Sequence, residues 1–88
     1  MIEKQVQIIN PAGLHTRPSA TIVKIASKYK ADFFMSIDGI RVNGKSIIGV
    51  MTLSSPMGTK VDLEFIGEDE DKLADEMCNY FERGFDEL

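Results

Sequence analysis

Apolar and polar residues alternate through Ile2-Glu3-Lys4-Gln5-Val6-Gln7-Ile8, which predicts a half-buried first strand whose apolar face is interrupted at Lys4. Asn10-Pro11-Ala12-Gly13 is turn chemistry and ends that strand. The period then changes. Ala20, Ile22, Val23, Ala26 and Tyr29 fall on one side at helical spacing, predicting a helix over about residues 16–28. Pro18 fits its first turn, where backbone amides have no intrahelical acceptor. Phe33, Met35 and Ile37 share a strand face and run into Asp38-Gly39, a strong hairpin signal, with Ile40 and Val42 on the returning strand. After the break at Asn43-Gly44-Lys45, Ile47, Ile48, Val50 and Met51 predict a short helix from Ser46 to about Leu53. Val61, Leu63 and Phe65 alternate with Lys60, Asp62 and Glu64, another half-buried strand. Asp69, Glu70 and Asp71 suit the positive end of a last helix, along which Leu73, Met77 and Phe81 recur at core-facing spacing. The order is βαββαβα. Each strand has one apolar face, so an α+β fold is expected: an antiparallel sheet with helices on one side. With 88 residues and no repeat or linker, residues 1–88 form a single domain.

Charge adds an asymmetry. The net charge is -4, yet residues 1–60 carry eight basic and three acidic side chains, whereas residues 61–88 carry two basic and eleven acidic ones. The acidic end reads first as a solvated helix face. The basic part suggests an anionic ligand or an acidic partner surface. Overall acidity, without interleaved basic and aromatic residues, argues against nucleic acid as a partner. The single cysteine, Cys78, excludes an internal disulfide and points to a reducing compartment. The N-terminus has no long apolar run, so no signal peptide is expected, and no segment approaches the ~20 apolar residues of a membrane span. A cytoplasmic location without membrane insertion is the expectation.

The candidate chemistry lies in Gly13-Leu14-His15-Thr16-Arg17-Pro18, which holds the only histidine of the chain. His15 falls at or beside the N-cap of the first predicted helix. The first amides and the helix dipole there attract an anion and favour a neutral imidazole, whose lone pair can attack. Arg17 offers further donors to phosphate oxygens. Together these features suit phosphoryl transfer to histidine. The plainer alternative is an exposed histidine without a role. One histidine and one distant cysteine do not make a metal site. Without a second histidine as base, a nucleophilic triad is excluded, and neither an acid–base pair nor a cofactor motif suggests a stand-alone enzyme.

The same six residues resemble the active-site motif of HPr, the histidine-containing phosphocarrier family of the bacterial phosphoenolpyruvate:sugar phosphotransferase system. Asn43-Gly44-Lys45-Ser46-Ile47-Ile48-Gly49-Val50-Met51 is similar to that family's regulatory serine segment, and length and element order also fit. The resemblance implies an open-faced β-sandwich, a four-stranded antiparallel sheet covered on one face by three helices. It implies that His15 accepts a phosphoryl group at Nδ1 from enzyme I, which takes it from phosphoenolpyruvate, and passes it to the IIA domain of a sugar permease. Arg17 would stabilise the phosphorylated state. Thr16, Ile47, Ile48 and Met51 would lie on the partner-docking surface, with Val50 in the core. No cofactor is implied.

Ser46 reads by itself as an N-cap. The resemblance adds a second role, regulatory phosphorylation by an ATP-dependent HPr serine kinase, with a catabolite-control transcription factor as a further partner. Two function classes therefore stand: a phosphocarrier, and a regulatory interaction protein of the same fold acting through phospho-Ser46 or in a nitrogen-related branch. An intact His15-Thr16-Arg17 favours the carrier.

Overall fold

The computed structural model describes residues 1–88. Its elements are β1 (Ile2–Gln7), α1 (Thr16–Ser27), β2 (Asp32–Ile37), β3 (Ile40–Asn43), α2 (Ile47–Met51), β4 (Lys60–Ile66), α3 (Glu70–Glu82) and a C-terminal 3-10 turn (Gly84–Asp86). The strands form one antiparallel sheet in the order β1-β4-β2-β3, so the first strand to form in sequence pairs with the last. Register follows burial. Phe33 stands opposite Phe65 and Met35 opposite Leu63, all four on the covered face. The two phenylalanine rings stack at 5.1 Å. The opposite face, with Glu3, Gln5, Ser36, Asp62 and Glu64, stays polar and open. This is the open-faced sandwich, and α3 lies over β1 and β4 while α1 packs between α2 and α3.

Local chemistry sets the connections. Asp38 and Gly39 both have positive φ (51° and 81°), as a tight hairpin between β2 and β3 requires. Ser46 caps α2, its hydroxyl accepting from the Gly49 amide at 3.2 Å. Replacing it with Ala should lower stability by about 1 kcal/mol, readable in a denaturant melt. α2 ends at Met51, and Thr52 follows as its C-cap with its hydroxyl donating to the Gly49 carbonyl at 2.6 Å.

One sequence expectation needs correction. Ala20 does not face the core; it is exposed, and the buried stripe of α1 is Ser19, Ile22, Ile25 and Ala26. The helix starts at Thr16, as expected, and it is the burial of Pro18 and Ser19 that places Ala20 on the outer side. Beyond α3 the chain continues in a short turn that the sequence pattern does not signal. After Arg83 it reverses through Gly84, Phe85 and Asp86, all with positive φ near 60°. A left-handed phenylalanine costs about 1–2 kcal/mol. Burial of the Phe85 ring against Tyr80 (5.1 Å) and Phe81 (4.9 Å) offsets it.

Several carboxylates are held by the fold. Asp69 stands at the N-cap position of α3, but its carboxylate turns away from that helix and accepts from the Lys30 amide at 3.0 Å and the Ala31 amide at 2.8 Å, which lower its pKa. Glu76 is lowered by the Lys28 ammonium and the Tyr29 hydroxyl, and the same contact pushes Tyr29 up to about 12. Carboxyls that titrate lower in the folded than in the unfolded chain add stability above their unfolded values, about pH 4, and lose it as pH falls through the folded ones. Thermal melts should therefore change little between pH 7 and 5 on this account and drop below about pH 4. A midpoint that rose on acidification would contradict these assignments.

Candidate functional site

The site is built by the turn that joins β1 to α1. Gly13 is in the left-handed region (φ 73°), and a Cβ there would lie 2.3 Å from the Ser55 carbonyl oxygen. Only glycine lets the two segments approach. Leu14 then forms a bridge with Ser55, its amide donating to the Ser55 carbonyl at 2.8 Å, and its side chain enters the core. The Ser54 hydroxyl also donates to the Leu14 carbonyl at 3.1 Å. The residue before the histidine is thus fastened to the segment that follows α2.

His15 is the N-cap of α1, with extended backbone (φ -119°, ψ -170°) and a carbonyl that accepts from the Ser19 amide at 3.0 Å. Its side chain makes no capping hydrogen bond. Thr16 and Arg17 therefore bring first-turn amides without an intrahelical acceptor, and Pro18, next in line, has no N–H to offer. Thr16 and Arg17 are both exposed. The ring is part-exposed, at 38%.

Glu87 of the C-terminal tail meets this ring. Its carboxylate lies 2.8 Å (Oε2) and 3.0 Å (Oε1) from His15 Nε2. Asn10, fully buried in the turn, donates its amide to the same Oε1 at 2.8 Å and to the Gly13 carbonyl at 2.9 Å. Two acceptors on the Asn10 nitrogen fix its orientation, and its carbonyl is left without a partner. A carboxylate accepts but does not donate, so on a neutral ring the proton sits on Nε2 and the Nδ1 lone pair is free. The Glu87 carboxyl is lowered mainly by the hydrogen bond from His15, with contributions from Asn10 and from the positive charge of Arg17.

Of the residues singled out from sequence, His15, Thr16 and Arg17 lie together at the start of α1. Ile47, Ile48 and Met51 are exposed on α2 (39%, 76% and 42%), whereas Val50 alone is buried. Exposed Met57 (56%) adds to the apolar surface beyond α2. The end of α2 leads directly into the Ser54-Ser55 ties to Leu14, the residue before the histidine. Ser46 is exposed at the other end of the helix, about 8 Å along its axis. Asn10 and Glu87 were missed. Asn10 reads as half of a turn, and Glu87 reads as one of many tail carboxylates. No group of three or more His, Cys, Asp or Glu is placed to hold a metal.

Residues 2–83 match the family described as "PTS HPr component phosphorylation site". The chain belongs to the HPr family. Relatives named phosphocarrier protein HPr and relatives named HPr-like protein Crh both match it. The chain is 38% identical over 87 residues to the phosphocarrier protein HPr of Treponema pallidum, covering 99% of each. It is also 38% identical over 80 residues to the HPr-like protein Crh of Bacillus subtilis, covering 91% of this chain and 94% of that one. The crystal structure of HPr from Thermoanaerobacter tengcongensis superposes with a TM-score of 0.94 at 36% identity, covering 100% of this chain and 99% of that chain. The open-faced HPr sandwich expected from the motifs is therefore the observed fold, and no helix is long and apolar enough to cross a membrane.

Proposed function

We propose that this HPr-family chain carries phosphoryl groups on His15, accepting them from phospho-enzyme I and passing them to IIA domains of sugar permeases. The observation that carries the reading is the arrangement of the ring: Nε2 engaged by Glu87, Nδ1 free, and two open amides beside it at the start of α1. In the transfer step the Nδ1 lone pair attacks phosphorus of the phosphoryl group that the donor presents. The Nδ1–P bond forms, the donor's bond to phosphorus breaks, and its electron pair returns to the donor. The Thr16 and Arg17 amides and the Arg17 guanidinium supply donors to the phosphoryl oxygens. The group stays at the surface, where an acceptor can take it. Ile47, Ile48 and Met51, with Thr16, would dock both partners. A cytoplasmic location suits these partners and the unpaired Cys78. Incubation with phosphoenolpyruvate and catalytic enzyme I should give acid-labile phosphate on the protein; no label, with enzyme I active on another HPr, would reject the reading.

Ser46 is the second part of the proposal. A phosphate there would place about -1.5 to -2 charge at the start of α2, beside the exposed isoleucines. An acidic partner surface would be repelled, which is how a serine kinase would slow transfer without touching His15. Ser46→Asp should lower the rate of loading by enzyme I by about tenfold or more, for a like-charge cost of at least ~1.4 kcal/mol at the interface. An unchanged rate would remove this regulatory role. Similarity to a protein named Crh supports a second reading, a regulatory protein acting through phospho-Ser46 on a catabolite-control transcription factor. The complete His15-Thr16-Arg17 set favours the carrier, because regulation through Ser46 alone does not need a histidine.

A further inference from the structure

Within the phosphocarrier reading, on which its meaning depends, the carboxylate at Nε2 has a task of its own. We propose that Glu87 is a positioning residue for His15: it keeps the proton on Nε2, so that Nδ1 is the nucleophile, and it retains that proton on the ring after Nδ1 is phosphorylated.

The contact is built, not incidental. Both Glu87 oxygens reach Nε2, at 2.8 and 3.0 Å, and buried Asn10 holds one of them at 2.8 Å. The tail that delivers Glu87 takes two non-glycine residues, Phe85 and Asp86, through left-handed backbone (φ 58° and 59°). Phe85 anchors it in the aromatic pair of Tyr80 and Phe81, and Arg83 braces it through Asp86 at 2.7 Å. Strain of this kind persists only where surrounding contacts over-determine it.

The chemistry follows from the proton. Attack by Nδ1 leaves the ring with phosphorus on one nitrogen and hydrogen on the other, a cation whose N–H points at Glu87. A cationic ring is a good leaving group, because the bond electrons return to it on transfer. Loss of the Nε2 proton makes it a poor one. A carboxylate against that N–H favours the cation, so phospho-His15 should remain in its transferable form to higher pH. Few other charges face the ring. Arg17 of α1 opposes the effect, Asp86 is engaged by Arg83, Tyr80 of α3 stands behind Phe85, and residues 10–14 and 53–58 contain no charged side chain.

The test loads the full chain with phosphoramidate, a small donor that gives up ammonia and needs no protein partner. The phosphoryl nitrogen is identified by NMR, and release of inorganic phosphate is followed from acid to alkaline pH in wild type, Glu87→Gln and Glu87→Asp. Gln keeps the size and the acceptor but removes the charge. Expected are phosphorylation at Nδ1 and a release profile whose fall moves about one pH unit lower in Glu87→Gln, with release several-fold slower between the two midpoints. Glu87→Asp should lie between them. Coincident profiles in wild type and Glu87→Gln would overturn the proposal. A shifted profile in a chain that phospho-enzyme I does not load would sink the carrier reading and leave the Glu87 assignment standing. Loading by both donors with coincident profiles would do the reverse.

Discussion

His15→Ala should reduce acid-labile phosphorylation by enzyme I and phosphoenolpyruvate to background while leaving the fold intact. The chain has no second histidine, and the part-buried Cys78 thiol, raised by desolvation, lies on α3 away from the α1 N-terminus. The stability change should be small, because the ring is part-exposed and its partner Glu87 lies in the tail. A melting point within a few degrees of wild type, together with lost labelling, separates chemistry from folding. Residual labelling at wild-type level in the variant would show that another group carries the phosphoryl.

Gly13→Ala should affect both stability and transfer. The added Cβ would fall 2.3 Å from a backbone oxygen of Ser55 and 3.0 Å from Pro56 Cα. Backbone on both sides leaves no flexible side chain to move aside. A left-handed alanine costs about 1–2 kcal/mol, and displacing the Leu14–Ser55 bridge adds about 1–2 kcal/mol more. For a domain of this size the sum, about 2–4 kcal/mol, lowers the melting point by roughly 10–30 °C. Because Leu14 directly precedes the histidine, its displacement also turns the ring away from Glu87 and from the open amides. A calorimetric scan and the enzyme I assay on one sample test both halves. A variant with wild-type melting and loading would mean that the Gly13–Ser55 approach does not position the site.

The sheet was legible because each strand keeps one apolar face, and burial in an antiparallel sheet enforces that alternation. Phe33, Met35, Ile37, Val61, Leu63 and Phe65 all read correctly as core. The hairpin at Asp38-Gly39 was legible because its backbone demands those residues. α1 was harder. Ala20 contributes little to either face, so its hydrophobicity misled, while the buried Ser19 carried no apolar signal. Strand order was not readable, since pairing β1 with β4 is a long-range choice that local pattern does not encode. In the site, His15 and Arg17 stood out through their place in a loop-to-helix motif. Glu87 did not, because its position depends on two left-handed residues after α3, and phenylalanine gives no sequence sign of that conformation.

Loading and discharge of one sample tests the central claim most directly. The protein is phosphorylated with enzyme I and phosphoenolpyruvate, enzyme I is removed, and a IIA domain is added while intact mass is followed. One acid-labile phosphoryl group per chain, located on His15 and lost to the IIA domain, is the predicted result. A chain that stays unphosphorylated beside an HPr that loads normally, or one that loads but never discharges, would contradict the carrier account.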